Sequence, residues 1–264
     1  MKDWETVRSQ YYGWFLNVLD SRLLLARARE VLQQCLSLPD ISREVGGRSG
    51  YQRLEDVVAH YSRQNISSGE KCHCTAQFAR KTEAEQQQHP VETDRLGEVS
   101  RLIIAGFILT PRTFGARVVL SQSQLELYKQ NDYEPFSVPP PPRPKQKSHH
   151  SRQTPPHQSN RPELHWDNTE GGSLEDCEYS GLDMIGDLKG RRAHITLGCV
   201  GPVRPVQTGV DQLEVLRRLE RLENSPHPDW ATIQAGNVAS LGEGCWAVAL
   251  TSPLSVAAIF TGSY

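Results

Sequence analysis

No apolar run in this chain is long enough to cross a bilayer. The longest candidate, Leu102–Leu109, falls well short of the ~18 residues a membrane helix needs. The opening Met1-Lys2-Asp3-Trp4-Glu5 has no apolar core of a secretory signal. The closing Thr261-Gly262-Ser263-Tyr264 has no cysteine four from the end to carry a prenyl group. The expectation is a cytoplasmic protein, with peripheral membrane association only by other means. An excess of one charge is also missing: 29 Lys+Arg face 31 Asp+Glu, a net charge of -2. That argues against strong nonspecific affinity for RNA but leaves room for a local basic groove. Apolar residues are scarce at 37% and the mean hydropathy is -0.53, so part of the 264-residue chain should be solvated rather than packed. The six cysteines (35, 72, 74, 177, 199 and 245) have no secretory context and are read as reduced thiols. For the same reason the acceptor-like Asn65-Ile66-Ser67 is read as chance.

The scarce apolar residues are unevenly spread. Between Pro135 and His165 lie 9 of the 17 prolines and 4 of the 9 histidines, including Pro139-Pro140-Pro141-Pro142-Arg143-Pro144. Such a stretch cannot bury enough apolar surface to offset its ordering entropy. It sets residues 134–188 apart as a disordered insertion. Residues 1–133 and 189–264 then form one domain with a single good-sized core.

Periodicity predicts a helix over Leu23–Leu36, capped by Ser21, a second over Leu54–His60 and a third over Gln212–Glu223. Extended segments are predicted at Cys72–Phe78, Leu102–Leu109, Ala116–Leu120, Ala193–Cys199, Trp246–Leu250 and Val256–Phe260. Helices and strands mixed without βαβ alternation argue for an α+β fold with antiparallel sheets.

One short echo carries the functional argument. Cys72-His73-Cys74-Thr75 and Ala193-His194-Ile195-Thr196 each place His-x-Thr in a strand-like segment. Residues two apart on a strand share a face. Each segment therefore presents an imidazole and a hydroxyl on one side, with Cys72/Cys74 or Ala193/Ile195/Leu197 on the other. Two imidazoles and two hydroxyls at one cleft suit phosphoester chemistry. One neutral His can take a proton from water, and a protonated one can give a proton to the leaving oxygen. The hydroxyls can hold the non-bridging phosphate oxygens. A zinc reading of Cys72-His73-Cys74 fails, because the thiols face away from the imidazole and no second ligand pair has suitable spacing. No metal and no cofactor is called for.

The resemblance extends beyond these motifs. It runs through Tyr11-Tyr12-Gly13-Trp14-Phe15-Leu16, His73–Phe78, Leu109-Thr110-Pro111-Arg112-Thr113-Phe114-Gly115-Ala116-Arg117-Val118-Val119-Leu120, Arg192–Cys199, Pro205-Val206-Gln207-Thr208-Gly209 and Ala258-Ile259-Phe260-Thr261-Gly262. In these stretches, and in their order, the chain resembles the vertebrate 2′,3′-cyclic-nucleotide 3′-phosphodiesterases of the 2H phosphoesterase superfamily.

The resemblance implies a bilobal fold, two antiparallel sheets around a central cleft with flanking helices, each lobe supplying one His-x-Thr. It implies metal-independent hydrolysis of nucleoside 2′,3′-cyclic phosphates, free or at RNA 3′ ends, to 2′-phosphates. His73, Thr75, His194 and Thr196 would form the catalytic set, with His194 favoured as base and His73 as acid; the reverse assignment stays open. Phe78 would stack on the base, with Tyr11, Arg192, Pro205 and Val206 near the nucleotide. A 2′–5′ RNA ligase would use the same two strands, but Pro205–Gly209 and Thr110–Thr113 favour the phosphodiesterases. Ala76 and Gln77 stand where the family commonly has Thr and Lys, which removes a positive charge beside the phosphate. The family's kinase-like domain and basic prenylated tail have no counterpart in the sequence, and the chain is expected to be a monomer. A competing reading keeps the fold as a catalytically weak RNA-binding or scaffold protein, with Pro139–Pro144 offered as a polyproline segment to a partner.

Overall fold

The computed structural model describes residues 10–39, 41, 54–61, 72–78, 93–130, 189–223 and 230–263. All lie in one compact unit, Met1–Glu134 with Tyr179–Tyr264. The insertion expected at 134–188, and with it Pro139–Pro144 and Cys177, lies outside the described residues.

Eight strands and four helices make up the described unit. In chain order they are β1 (Tyr11–Leu16), α1 (Val18–Leu36), α2 (Leu54–Tyr61), β2 (His73–Phe78), β3 (Val99–Leu109), β4 (Thr113–Val119), α3 (Gln122–Leu127), β5 (His194–Cys199), α4 (Val206–Glu223), β6 (Trp230–Ile233), β7 (Gly236–Ser240) and β8 (Trp246–Ser263). All pairings are antiparallel, in the order β1-β2-β5-β4-β3-β8-β7-β6. β1 also pairs with β8, from Tyr11 opposite Ser263 to Leu16 opposite Ala258. Six strands therefore close into a barrel, and β7 and β6 extend from β8. The mixture of helices with antiparallel strands agrees with expectation. The two sheets do not appear as separate sheets, because β1 and the β2–β5 contact join the strands into one.

Several boundaries differ from the sequence prediction for physical reasons. β1 has no polar–apolar alternation because both of its faces are used. Trp14 and Leu16 enter the core, while Tyr11 and Phe15 stay half-buried on the other side. Helix α1 starts earlier than predicted. Its cap is Asn17, in extended backbone, whose side chain accepts the Asp20 N–H at 2.8 Å. Ser21 is buried inside the helix, and its hydroxyl accepts the Cys72 N–H at 3.3 Å. The two strands predicted at the chain's end are one strand, β8. Between Leu250 and Leu254 its register against β3 jumps, from Gly106↔Ala249 to Ile104↔Leu254. Leu250 still pairs with Gly236 of β7, and the three residues Thr251–Pro253 bulge from β3; proline is tolerated there because no ladder bond to β3 is required of it.

The buried apolar side chains form two clusters. Leu24, Val31 and Leu32 of α1 pack with Trp14, Phe107, Phe114 and Phe260, all essentially buried. Each such side chain contributes about 2 kcal/mol by leaving water. Val215, Leu216 and Leu219 of α4 bury against Ile108 and Ala247. Among the described residues no helix is long and apolar enough to cross a membrane.

Helix α4 is also held by a buried carboxylate. Asp211, 3% exposed, accepts from the Thr110 hydroxyl (3.1 Å), the Thr113 hydroxyl (2.8 Å), Gln207 Nε2 (2.9 Å) and Arg112 Nη2 (2.5 Å). The Thr110-Pro111-Arg112-Thr113 turn joining β3 to β4 is thereby locked onto the helix. Asp211→Ala removes the buried acceptor shared by Thr110, Thr113, Gln207 and Arg112. It should cost roughly 3 kcal/mol, lowering Tm by about 6–12 °C in a thermal melt.

Candidate active site

The site is built at the seam between β2 and β5. These strands share one register pair, Cys74↔Ile195. Stepping outward in opposite directions brings His73 across from Thr196 and Thr75 across from His194. Cys74 and Ile195 point into the core at 0% exposure, so alternation sends both imidazoles and both hydroxyls to the opposite face. The four residues form a two-by-two array, imidazole opposite hydroxyl in each row, and all four are half-buried.

His194 is held from two sides. Its Nδ1 lies 2.6 Å from the Arg192 carbonyl. A carbonyl only accepts, so Nδ1 carries the proton and the neutral ring keeps its lone pair on Nε2. Burial is the largest influence on its pKa and pushes it down to about 4. The Arg192 and Pro205 carbonyls oppose that, while the charges of Arg192 and His73 add to it. The mutual influence of the two histidines places them within electrostatic reach of each other.

Thr196 and His194 are seated by the start of α4. The Thr196 hydroxyl donates to the Pro205 carbonyl at 3.1 Å and lies 3.1 Å from the hydroxyl of fully buried Thr208. Gly209 sits directly beneath the His194 ring. A Cβ there would fall 2.8 Å from Cε1 and 3.1 Å from Nδ1, so only glycine admits the ring this close.

His73 sits among aromatic rings. Its imidazole stacks with Tyr11 (centroids 5.0 Å, 26° between planes) and with Phe15 (5.1 Å, 21°). β1 places them there, pairing Phe15 with His73 and Tyr11 with Phe78. Gly13 lies between them, where a Cβ would overlap the Cys74 carbonyl. Phe78 closes β2 with its ring 49% exposed, edge-on to Tyr11 at 6.4 Å.

The structure thus brings together nearly all the residues that the sequence singled out. Arg192 is buried, and its carbonyl and charge both act on His194. Pro205 contributes its carbonyl to Thr196. Val206 opens α4, half-buried. Phe15, Thr208 and Gly209 carry site geometry that the sequence reading did not assign to them. Their only signal was membership of the Tyr11–Leu16 and Pro205–Gly209 stretches. The described cysteines are buried and unpaired. Burial pushes the Cys35 and Cys74 thiols up to about 12 and Cys72 up to about 11, which makes them poor nucleophiles. Among the described residues no three His, Cys, Asp or Glu side chains converge as a metal site.

The model of the 2′,3′-cyclic nucleotide 3′-phosphodiesterase (CNP or CNPase) family matches residues 9–145 and 182–264. The chain belongs to the CNPase family. The 2′,3′-cyclic-nucleotide 3′-phosphodiesterases of Rattus norvegicus, Mus musculus and Pongo abelii are each 28% identical to it over 262 residues, covering 96% of this chain. The chain spans about half the length of these CNPase relatives, 50% in each case.

The displaced His194 pKa predicts a pH dependence of folding. The unfolded ring binds a proton near pH 6.5 and the folded ring only near 4, so stability from this group is present above 6.5 and lost as pH falls toward 4. His194 should make the protein about 2 kcal/mol less stable at pH 5 than at pH 8. Burial lowers the His60 pKa as well, adding in the same direction. Urea unfolding of the native protein and of His194→Gln at both pH values separates the two: the variant should keep only the remainder.

Proposed function

We propose that the chain hydrolyses nucleoside 2′,3′-cyclic phosphates to nucleoside 2′-phosphates, on small nucleotides or at RNA 3′ ends. The observation that carries this reading is the antiparallel array of His73, Thr75, His194 and Thr196 on one face, added to family membership.

The steps follow from what each residue offers. A cyclic phosphate seats over the array, with the Thr75 hydroxyl donating to one non-bridging oxygen and the Thr196 hydroxyl, rotated off the Pro205 carbonyl, donating to the other. The start of α4 beside Thr196 adds the partial positive charge of a helix N-terminus. His194, neutral with its lone pair on Nε2, takes a proton from a water as that water attacks phosphorus. The P–O3′ bond breaks, and protonated His73 gives its proton to the departing O3′. The product keeps its phosphate on O2′. His73 suits the acid role because the rings of Tyr11 and Phe15 favour a cation beside their faces. Phe78 offers its exposed ring to the base, and stacking there is tolerant of base identity.

The reaction needs no metal as drawn, since both proton transfers and the charge stabilisation have named groups. The buried, unpaired cysteines support a reducing, cytoplasmic setting, and the chain is taken as a monomer.

The test is a product assay on 2′,3′-cyclic AMP with EDTA present. The expected product is 2′-AMP alone, with kcat lowered by about 10²–10⁴ in His73→Ala and in His194→Ala. A 3′-AMP product, or full activity in either variant, would sink the assignment. The pH profile of kcat/KM should be bell-shaped. Its acid limb should fall below pH 5, set by His194, and its alkaline limb should mark loss of the His73 proton.

Gly209→Ala gives a second check. Alanine normally stabilises a helix by up to ~1 kcal/mol relative to glycine, but here its methyl group displaces the His194 ring. The expected result is a kcat loss of about tenfold or more with a far-UV spectrum unchanged.

A further inference from the structure

Helix α4 covers the hydrogen bond that fixes His194. A Cβ at Gly209 would fall 3.1 Å from His194 Nδ1 and 3.6 Å from the Arg192 carbonyl that this nitrogen meets. Three residues further along α4, and so on the same side of the helix, stands Gln212. Its side chain is fully buried. Its Nε2 donates to the Arg191 carbonyl at 2.6 Å and to the Ala193 carbonyl at 3.0 Å. The Arg192 carbonyl belongs to the peptide unit between those two. Both neighbours of that unit are therefore tied to one side-chain amide.

Two features set this contact apart from ordinary packing. The first is its place. The turn that leads into β5 has bonds of its own: the Ala193 N–H donates to the Gly190 carbonyl at 2.8 Å, and the Val118 N–H to the Ala193 carbonyl at 3.1 Å. Buried Arg117 of β4 reaches the same two carbonyls, Gly190 at 3.2 Å and Ala193 at 3.4 Å. Of these donors only Gln212 takes the Arg191 carbonyl, directly before the peptide unit that faces His194. The second feature is cost. Among the described residues Gln212 Oε1 is buried with no hydrogen-bond partner. A buried acceptor left unmet is destabilising, and an apolar side chain of similar length would avoid it. The two N–H donors of the amide, not the packing of α4, account for glutamine at this position.

We infer that Gln212 is a positioning residue for His194: by holding the carbonyls on either side of Arg192, it aims the Arg192 carbonyl at Nδ1 and keeps the imidazole in the tautomer whose lone pair is on Nε2. Gln212 touches neither the substrate nor the ring and acts through the backbone alone. Without it the Arg192 peptide unit can turn, and the ring can take the form with its proton on Nε2. In that form the nitrogen that should receive the proton from water has no lone pair to offer. The kinetic half of the inference rests on the proposed cyclic-phosphate reaction; the tautomer is a property of the free protein.

The test uses Gln212→Met, which removes both donors and keeps the length of the side chain. Gln212→Leu removes the same donors in a different shape and carries the same test if the first variant does not fold. The tautomer is read at pH 8 from long-range proton–nitrogen correlations in protein labelled with ¹⁵N-histidine, with His194→Gln identifying the His194 signals. The native ring should show the proton on Nδ1, and Gln212→Met should show a mixture of the two tautomers. The far-UV spectrum should be unchanged and Tm shifted by less than about 5 °C, since two lost hydrogen bonds are offset by removal of an unmet acceptor. On 2′,3′-cyclic AMP, kcat should fall by about 10–100-fold with KM changed less than about twofold. In the His194→Gln background the same substitution should have no further effect, because a residue that acts through the ring has nothing left to position. An unchanged tautomer in Gln212→Met would overturn the inference. So would a loss of kcat that adds in full to that of His194→Gln, which marks general damage to the fold. No turnover by the native protein, with the tautomer still altered in Gln212→Met, would remove the proposed reaction and leave the hold on the ring standing.

Discussion

A single cross-strand pair, Cys74 opposite Ile195, sets where the two His-x-Thr motifs meet. Both side chains are buried completely, so the hydrophobic effect fixes the register. A slip of one residue in either strand would turn Cys74 or Ile195 out to water and drive an imidazole and a hydroxyl into the core. The polar array is therefore held by the apolar residues between its members. The surrounding sheet strengthens that constraint. β1 braces β2 from the side away from the seam, and β4 braces β5, with Arg117 opposite His194 and Gly115 opposite Thr196.

The electrostatic asymmetry of the two histidines follows from their different neighbours. His194 is pinned by a backbone carbonyl, lies over a glycine on α4 and has a positive side chain near it. Each of these keeps it neutral or fixes its tautomer. His73 stands instead on aromatic faces toward the open side of the sheet. Two residues of one type, in one motif, are thereby given different environments by what packs against them. Helix α4 is the shared support of half this arrangement. Asp211 ties it to the Thr110–Thr113 turn at its buried side, so that Thr208 and Gly209 meet Thr196 and His194 in a fixed place.

The His-x-Thr strands could be read in the sequence because period-two alternation is a local property: each motif states its own face. So could α2 and most of α1, whose apolar spacing reports a buried stripe. Composition sets residues 134–188 apart in the sequence, and they lie outside the described residues. What escaped was non-local. β1 reads as an undifferentiated aromatic run because its two faces serve different purposes, and only the pairings with β2 and β8 reveal which ring goes where. The merger of two predicted strands into β8 depends on β3 continuing past a bulge that no local signal marks. Gly209 and Thr208 read as ordinary helix residues until the helix is docked under His194. The expected two sheets became one for the same reason, since closure is a property of strand order and not of any strand.

The closed barrel has a consequence for whatever is attached to it. Tyr11 pairs with Ser263, and the Gln10 N–H donates to the Ser263 carbonyl at 2.7 Å. The two ends of the described barrel thus leave from one spot, one strand away from Phe78. A segment joined to either end is tethered beside the face that carries His73, not across the molecule from it. For any such segment that touches nucleic acid, even weakly, the tether replaces bulk concentration with a local one, commonly in the millimolar range for a short flexible connection. The barrel's closure in that way puts both of its ends beside Tyr11 and His73.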